Sequence, residues 1–340
     1  MTDYLPSALI TFMFLALIPW GVDVWILADT IITTVFGLTM IFFPKHFLSR
    51  QTKGELDDVH LHLYRMCGIM LLSSTMFAWL ARKSKDQTIT SAILWGRVVG
   101  VSLYVMARIH GYFQVSKSIK WNKQALLFGI YGDCLWLLGN FIYSLKVTDF
   151  GKMTTNLSKA DFYLKSDFVQ CIMFGISFFV MPRLMLGFQT TRTLNHLHCT
   201  LIRMMAAFVF NTGIIAWKSW HFAENIDKIW HFVSRIMGIS GLVTAQIYTQ
   251  FTTSSWTLWH IYFGMIGMSL WSANASFGYF NLKNDFGQTN KYCCDDKELS
   301  APLHPTVDRS VSRTTAYQPY SMSNCFQSTA TVMRLPVTTS

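Results

Sequence analysis

The chain has 340 residues, of which 51% are hydrophobic and only 14% are charged, and its formal net charge is +10. Soluble domains carry about 25% charged residues, so this composition excludes an ordinary soluble protein and indicates an integral membrane protein whose main partner is the lipid bilayer. The Lys and Arg residues lie in loops and in the C-terminal tail without a dense patch or a binding motif, which excludes nucleic acid as a predicted partner.

The first predicted element is a short apolar stretch at 8–18, within an N-terminal segment at 1–22. It is short for a transmembrane helix and has the length of a signal-peptide core. Residues 1–7, however, contain Asp3 and no Lys or Arg. We therefore expect a retained hydrophobic helix that either spans as a short ninth helix or lies in the interface. A cleaved signal peptide is the alternative.

Eight longer apolar segments follow, and each is long enough to cross a membrane. Helices are expected because lipid offers no partner for the edge of an open sheet. The predicted spans are 24–43, 60–81, 90–113, 124–145, 162–181, 198–217, 229–251 and 256–280. They divide the chain into a first transmembrane repeat at 23–146, a linker at 147–161 and a second transmembrane repeat at 162–282.

The two halves are copies of each other. When the sequence is shifted by 138 positions, 24 of the 101 pairs between residues 29 and 129 are identical without a gap. Asp29 then falls on Asp167, and His60 falls on His198. Four spans per copy return the chain to its starting side, so both copies have the same orientation. The predicted fold is an all-α membrane protein made of two parallel tandem four-helix transmembrane bundles.

The C-terminal residues 283–340 are rich in Ser, Thr, Asn, Asp and Pro, and we expect a disordered polar tail that is open to cytosolic partners. The distribution of Lys and Arg places this tail in the cytosol by the positive-inside rule. The glycosylation sequon at Asn156 lies on the same predicted side and favours the opposite orientation. The sequence does not indicate which membrane holds the protein.

Charged residues inside the predicted spans mark candidate sites, because each costs at least ~2.5 kcal/mol on insertion scales. Asp29 and Asp167 lie in the first turns of their helices. Arg97 and Arg235 lie about two turns into the third helices, at a similar depth. We therefore predict the ion pairs Asp29–Arg97 and Asp167–Arg235, for which the arginine fork is suited. Helix capping by the two carboxylates is the structural alternative.

Asp133 breaks the symmetry, because it lies in the middle of the fourth span where the second copy has Trp271. We expect Asp133 to face the interior within reach of Arg97 or Arg65, which would make the first copy the more polar and the active one. Simple neutralisation of an arginine is the structural alternative. Arg65 and Arg203 lie near the membrane face opposite the early acidic residues, where snorkelling to the headgroups is their alternative role.

Seven residues are therefore the predicted polar centres for a small ligand, an ion or a proton: Asp29, Arg65, Arg97, Asp133, Asp167, Arg203 and Arg235. The sequence has none of the common motifs for metal binding, nucleotide binding or catalysis, so we assign no catalytic residue, metal or cofactor. His60 and His198 occupy equivalent positions, but neither has the spaced partners of a metal site.

Each copy has four helices, an early acidic residue, a proline that ends the first helix and an arginine early in the third. The second helix of the first copy contains the sequence LYRMCG at 63–68. This pattern resembles the small four-helix membrane proteins of the p53-inducible and DoxX-like type, here fused in tandem. The second copy departs from the pattern where Ala206 replaces Gly68. The resemblance implies quinone-coupled oxidation, but it transfers no catalytic residue.

The sequence thus favours a multi-pass membrane protein that acts as a scaffold or binds a small ligand. A transporter or channel at the repeat interface is the second hypothesis. A quinone-linked membrane oxidoreductase is the third.

Overall fold

The computed structural model describes residues 16–114, 122–147 and 159–298, with side chains as far as residue 284. The start of the predicted N-terminal segment, most of the linker with its sequon, and the tail after residue 298 lie outside the described residues.

In those ranges the chain folds into α-helices without strands. A 3₁₀ turn at Ile18–Trp20 precedes the first helix, and another at Ala81–Lys83 follows the third. The helices are α1 (Val22–Phe42), α2 (Pro44–Gln51), α3 (Asp58–Leu80), α4 (Gln87–Gln114), α5 (Lys123–Lys146), α6 (Lys159–Val180), α7 (Pro182–Gly187), α8 (His196–Ser219), α9 (Asn225–Thr252) and α10 (Leu258–Glu298).

A helix is present at each of the eight predicted segments, with ends that differ from the prediction by a few residues. The exception is α10, which continues to Glu298, past the predicted boundary of the tail at residue 282. The short helices α2 and α7 were not predicted. Each begins with a proline, Pro44 or Pro182. Proline cannot continue the preceding helix because it lacks an N–H, but its fixed φ suits the first turn of a new helix.

Six of the described helices are long and apolar enough to cross a membrane, namely α1, α3, α4, α5, α6 and α8. This is the character of a multi-pass integral membrane protein. Large apolar side chains such as Val35, Phe141 and Met173 are exposed on the outer helices, where lipid would cover them. Helix α9 is less apolar, since it carries the charged residues Asp227, Lys228 and Arg235.

The centre of the molecule is formed by α3 and α8. The most apolar stretch of α3 is 67% buried within the protein and that of α8 is 83% buried, against 33%, 28% and 22% in α1, α5 and α6; α4 is as buried as α3. Helix α3 packs against α1, α8 and α9, whereas α8 packs against α6, α3 and α4. Each half thus covers the central helix of the other, and the described residues up to Tyr292 form one compact unit.

Glycines permit two close helix crossings between the halves. A Cβ atom at Gly100 of α4 would lie 2.6 Å from Cβ of Asn211 on α8, and a Cβ atom at Gly238 of α9 would lie 2.4 Å from Oγ of Ser73 on α3. Small residues of this kind let helix backbones approach closely. The two crossings use positions related by the shift of 138 residues, with the halves exchanged.

Candidate functional site

The first predicted ion pair is present and forms a closed network. Nε of Arg97 on α4 lies 3.0 Å from the Asp29 carboxylate on α1, and both side chains are buried. The other guanidinium nitrogens of Arg97 donate to the hydroxyls of Ser74, Thr33 and Thr75 at 2.9, 3.3 and 3.1 Å. The indole N–H of Trp136 on α5 donates to the second carboxylate oxygen. Four helices therefore meet at one satisfied buried charge pair.

The second predicted ion pair is also present, but its surroundings differ. Nε of Arg235 lies 3.2 Å from the Asp167 carboxylate, and Nη2 lies 3.5 Å from the Cys171 sulfur. His231 contacts the same carboxylate through Nε2 at 2.9 Å, and the Trp271 indole donates to it. The guanidinium lies 4.3 Å from the centre of the Trp271 ring, within cation–π range. An indole donates to the carboxylate in both centres, whereas the imidazole of His231 and the thiol of Cys171 take the place of the hydroxyls of the first centre.

The prediction for Asp133 was wrong in its partner. Asp133 on α5 pairs with Arg108 of α4 at 2.7 Å, not with Arg97 or Arg65. The two helices run antiparallel, so Asp133, ten residues into α5, is level with the end of α4 that carries Arg108. Arg97 lies two helical turns or more farther along α4. The antiparallel register was therefore the signal that could have identified Arg108.

Arg65 and Arg203 do not join these centres. The Arg65 guanidinium lies over the ring of Tyr248 at 5.6 Å. Arg203 donates from Nε to the backbone carbonyl of Phe179 at 3.0 Å, and its Nη1 lies 3.3 Å from His110. Their places on α3 and α8 thus separate them from the buried carboxylates.

A polar junction that the sequence did not reveal joins the starts of α3 and α8. The rings of His60 and His198 stack with centroids 3.6 Å apart and an angle of 12°. Nε2 of each imidazole contacts the residue before the opposite helix, His60 with Asn195 at 3.2 Å and His198 with Asp57 at 3.1 Å. Asp57 and Asn195 also cap their own helices. Each helix start therefore holds the other in place.

The charge of Asp57 depends on this junction. Burial raises the pKa of Asp57, but hydrogen bonds from His198 and His60 outweigh that effect, and the pKa lies well below its usual value. Asp57 is thus a carboxylate throughout the neutral range.

Among the described residues, Asp57, His60 and His198 form a group whose ligand atoms lie within 4.8 Å of one another. Their geometry does not fit a bound metal. The lone pair of an imidazole nitrogen lies in its ring plane, and the two stacked planes are nearly parallel, so one ion about 2 Å from both nitrogens would lie out of both planes. Nδ1 of His60 also accepts the backbone N–H of Asp57 at 3.2 Å. We read the group as structural.

A cavity of about 100 Å³ lies within the second half, where α3 of the first half closes it. Its walls are apolar and rich in flexible side chains, among them Met66, Met70, Met205, Met268, Phe174 and Phe178. Trp271 also lines the cavity and connects it to the second ion pair, since its indole donates to Asp167. The Asp167–Arg235 ion pair therefore adjoins the wall of the cavity through Trp271.

The corresponding region of the first half carries larger side chains at two positions. Leu126 stands where the second half has Gly264, and Tyr104 stands where it has Leu242. Both larger side chains are buried. The Arg108 guanidinium lies against Gly129, where an added Cβ atom would be 2.0 Å from its Nη2. Gln246, the equivalent residue of the second half, lies against Gly264, where an added Cβ atom would be 1.8 Å from its Nε2. The expectation that the first copy is the active one stays a prediction, and in that copy Asp133 is paired with Arg108.

Aromatic and imidazole rings form one end of the cavity. His260 stacks on Trp256 with ring centroids 3.9 Å apart, and His62 meets the two rings edge-on at 5.1 and 4.9 Å. His260 Nε2 and Trp256 Nε1 are both buried without a hydrogen-bond partner in the described part of the protein. Buried polar atoms are normally paired, so these two mark the place where a ligand or a water would be held.

A family model described as a domain of unknown function, DUF8292, matches residues 27–280. The chain belongs to the DUF8292 family. No curated protein and no solved structure matches it. The DUF8292 region begins in α1 and ends in α10, so it includes both ion pairs, the stacked histidines and the cavity. The matched region thus contains most of both halves of this molecule.

Proposed function

We propose that this DUF8292 protein binds a small apolar molecule within the membrane, in the cavity of its second half. The protein consists of two parallel copies of a four-helix unit with eight spans, and the first copy is the closed structural partner. The observation that carries the proposal is the cavity itself, with apolar walls along its length and two unpaired polar atoms at one end. This combination is typical of small-molecule sites.

Several contacts support the tandem arrangement. The stacked His60 and His198 bring the starts of α3 and α8 together, as parallel copies require. The glycine crossings pair Gly100 with α8 and Gly238 with α3 in the same way. Asp29 and Asp167 each meet an arginine of the third long helix of their own copy. These are the contacts expected between two copies related by a rotation axis.

The size of the cavity limits the ligand. An apolar cavity of about 150 Å³ in a soluble protein accepts benzene or xenon. The present cavity of about 100 Å³ is smaller, but four of its wall residues are methionines, which adapt readily to a bound molecule. A single ring or an equally compact apolar group therefore fits, whereas a drug-sized molecule of several rings does not.

Methyl NMR of the purified full-length protein in lipid nanodiscs tests the proposal. With ¹³C-methyl-labelled methionine, added benzene should shift the signals of Met66, Met70, Met205 and Met268 in a saturable way. Met106 is an internal control, because it is 57% exposed on the lipid-facing surface and should show only a non-saturable response. Single Met→Leu variants assign the signals.

A second variant tests the location. Val209→Phe places a ring into the cavity and should abolish saturation while the spectrum stays folded. The proposal fails if the four cavity methionines respond no differently from Met106, or if saturation persists in a folded Val209→Phe protein.

A further inference from the structure

We infer that the cavity selects a compact, uncharged apolar molecule that carries a hydroxyl group. This inference rests on the proposed function and adds the chemical class of the ligand. It follows from the hydrogen-bonding state of His260 and Trp256, which together present one acceptor and one donor at the same end of the cavity.

The acceptor is Nε2 of His260. The amide nitrogen of Gln189 donates to the backbone carbonyl of Met185, which turns the Gln189 amide oxygen towards the imidazole. His260 Nδ1 lies 3.3 Å from that oxygen and therefore carries the proton as the donor. A neutral imidazole has one N–H, so Nε2 of His260 is left with a free lone pair.

The donor is the indole N–H of Trp256, which can only donate. Trp256 and His260 are 6% and 4% exposed, and the stacked rings line the cavity together. A hydroxyl group is the smallest organic group that satisfies both atoms, because it donates to Nε2 of His260 and accepts from Nε1 of Trp256. A ketone or ether satisfies only the donor, and an amine cation meets no carboxylate among the residues that line this end.

The rest of the cavity fits the apolar body of such a molecule. Phe174 stacks on Trp271 with centroids 5.6 Å apart, and Phe178 continues the stack at 6.3 Å. These rings form an aromatic wall, to which the methionines add polarizable contacts. A phenol or a compact alicyclic alcohol combines a ring for this wall with a hydroxyl for the polar end.

The test compares phenol, anisole and benzene by the same methionine-methyl titration, at matched concentrations in the lipid. Phenol offers a donor and an acceptor, anisole only an acceptor, and benzene neither. Two net hydrogen bonds favour phenol over benzene by about tenfold in affinity, with anisole in between. In Trp256→Phe the advantage of phenol should fall to about threefold. His260→Phe should remove a similar share. The readout is the ratio of phenol to benzene affinity within each variant, so that a change of packing at this end of the cavity affects both probes alike.

His260→Gln is the matched control, since its amide oxygen restores an acceptor and should recover part of the preference for phenol. Equal affinities of wild-type protein for phenol and benzene would overturn this inference, because the two polar atoms would then be held by water, while the proposed function would stand. A phenol preference that survives both phenylalanine variants would overturn it as well. Failure of all three probes to bind would instead refute the proposed function.

Discussion

We expect equivalent substitutions in the two buried ion pairs to lower the free energy of unfolding by unequal amounts. Arg97→Leu removes a guanidinium with four side-chain partners and leaves the Asp29 carboxylate, 1% exposed, with Trp136 as its remaining donor. Removing one member of a buried pair costs about 3–5 kcal/mol, because the other charge stays buried. We expect Arg97→Leu to lie in this range.

Arg235→Leu should cost less, although its position is equivalent. Asp167 keeps His231 at 2.9 Å and the indole of Trp271. The hydrogen bond between His231 and this carboxylate remains, and a hydrogen bond to a charged group is worth about 1.5–3 kcal/mol. The free energy of unfolding should therefore fall by about 1–3 kcal/mol in Arg235→Leu. Adding His231→Leu should raise the cost to that of Arg97→Leu.

The assay is unfolding in mixed micelles at increasing SDS fraction, followed by far-UV circular dichroism. Wild type, the two arginine variants and the double variant are compared at one pH and one protein concentration. If Arg235→Leu destabilises the protein as much as Arg97→Leu, the reasoning from local partners is refuted. The same conclusion follows if His231→Leu adds no cost in the Arg235→Leu background.

Three further predictions use the same unfolding assay. Asp133→Asn breaks the ion pair with Arg108 and should lower the free energy of unfolding by about 1–3 kcal/mol, while benzene binding in the second half stays unchanged. A weaker benzene response at unaltered stability would contradict a structural role of this ion pair. Gly129→Ala should destabilise the protein because its methyl group would lie 2.0 Å from the Arg108 guanidinium and displace it from Asp133, whereas Gly267→Ala, whose nearest neighbour lies at 3.2 Å, should cost less. Equal costs would contradict tight packing of Arg108 against Gly129. The lowered pKa of Asp57 means that its stabilisation is complete above the unfolded carboxyl pKa of about 3.9 and is lost as the pH falls towards the folded value. The stability gap between wild type and Asp57→Asn should thus be constant at neutral pH and shrink steadily below about pH 4, and a gap that is as large at about pH 2 as at about pH 6 would contradict it.

The sequence by itself determined the long helices and the two symmetric ion pairs. Apolar segments of about 20 residues have few alternatives in lipid, so eight helices could be placed to within a few residues. Asp29 and Arg97 could be paired because the rise per residue of a helix converts sequence position into depth in the membrane. Opposite charges at the same depth are expected to pair, since a single charge is costly where water is absent. The repeat then carried the same prediction to Asp167 and Arg235.

Only the tertiary structure decided what lies between the helices. The partner of Asp133 depends on the antiparallel register of α4 and α5, and the stacking of His60 on His198 depends on contact between helices 138 residues apart. The cavity depends on side chains that α3, α6, α8, α9 and α10 bring together. The pattern of residues along the sequence indicates depth in the membrane and polarity. A cavity is the volume that packed side chains from several helices leave unfilled, so it exists only once the helices are in place.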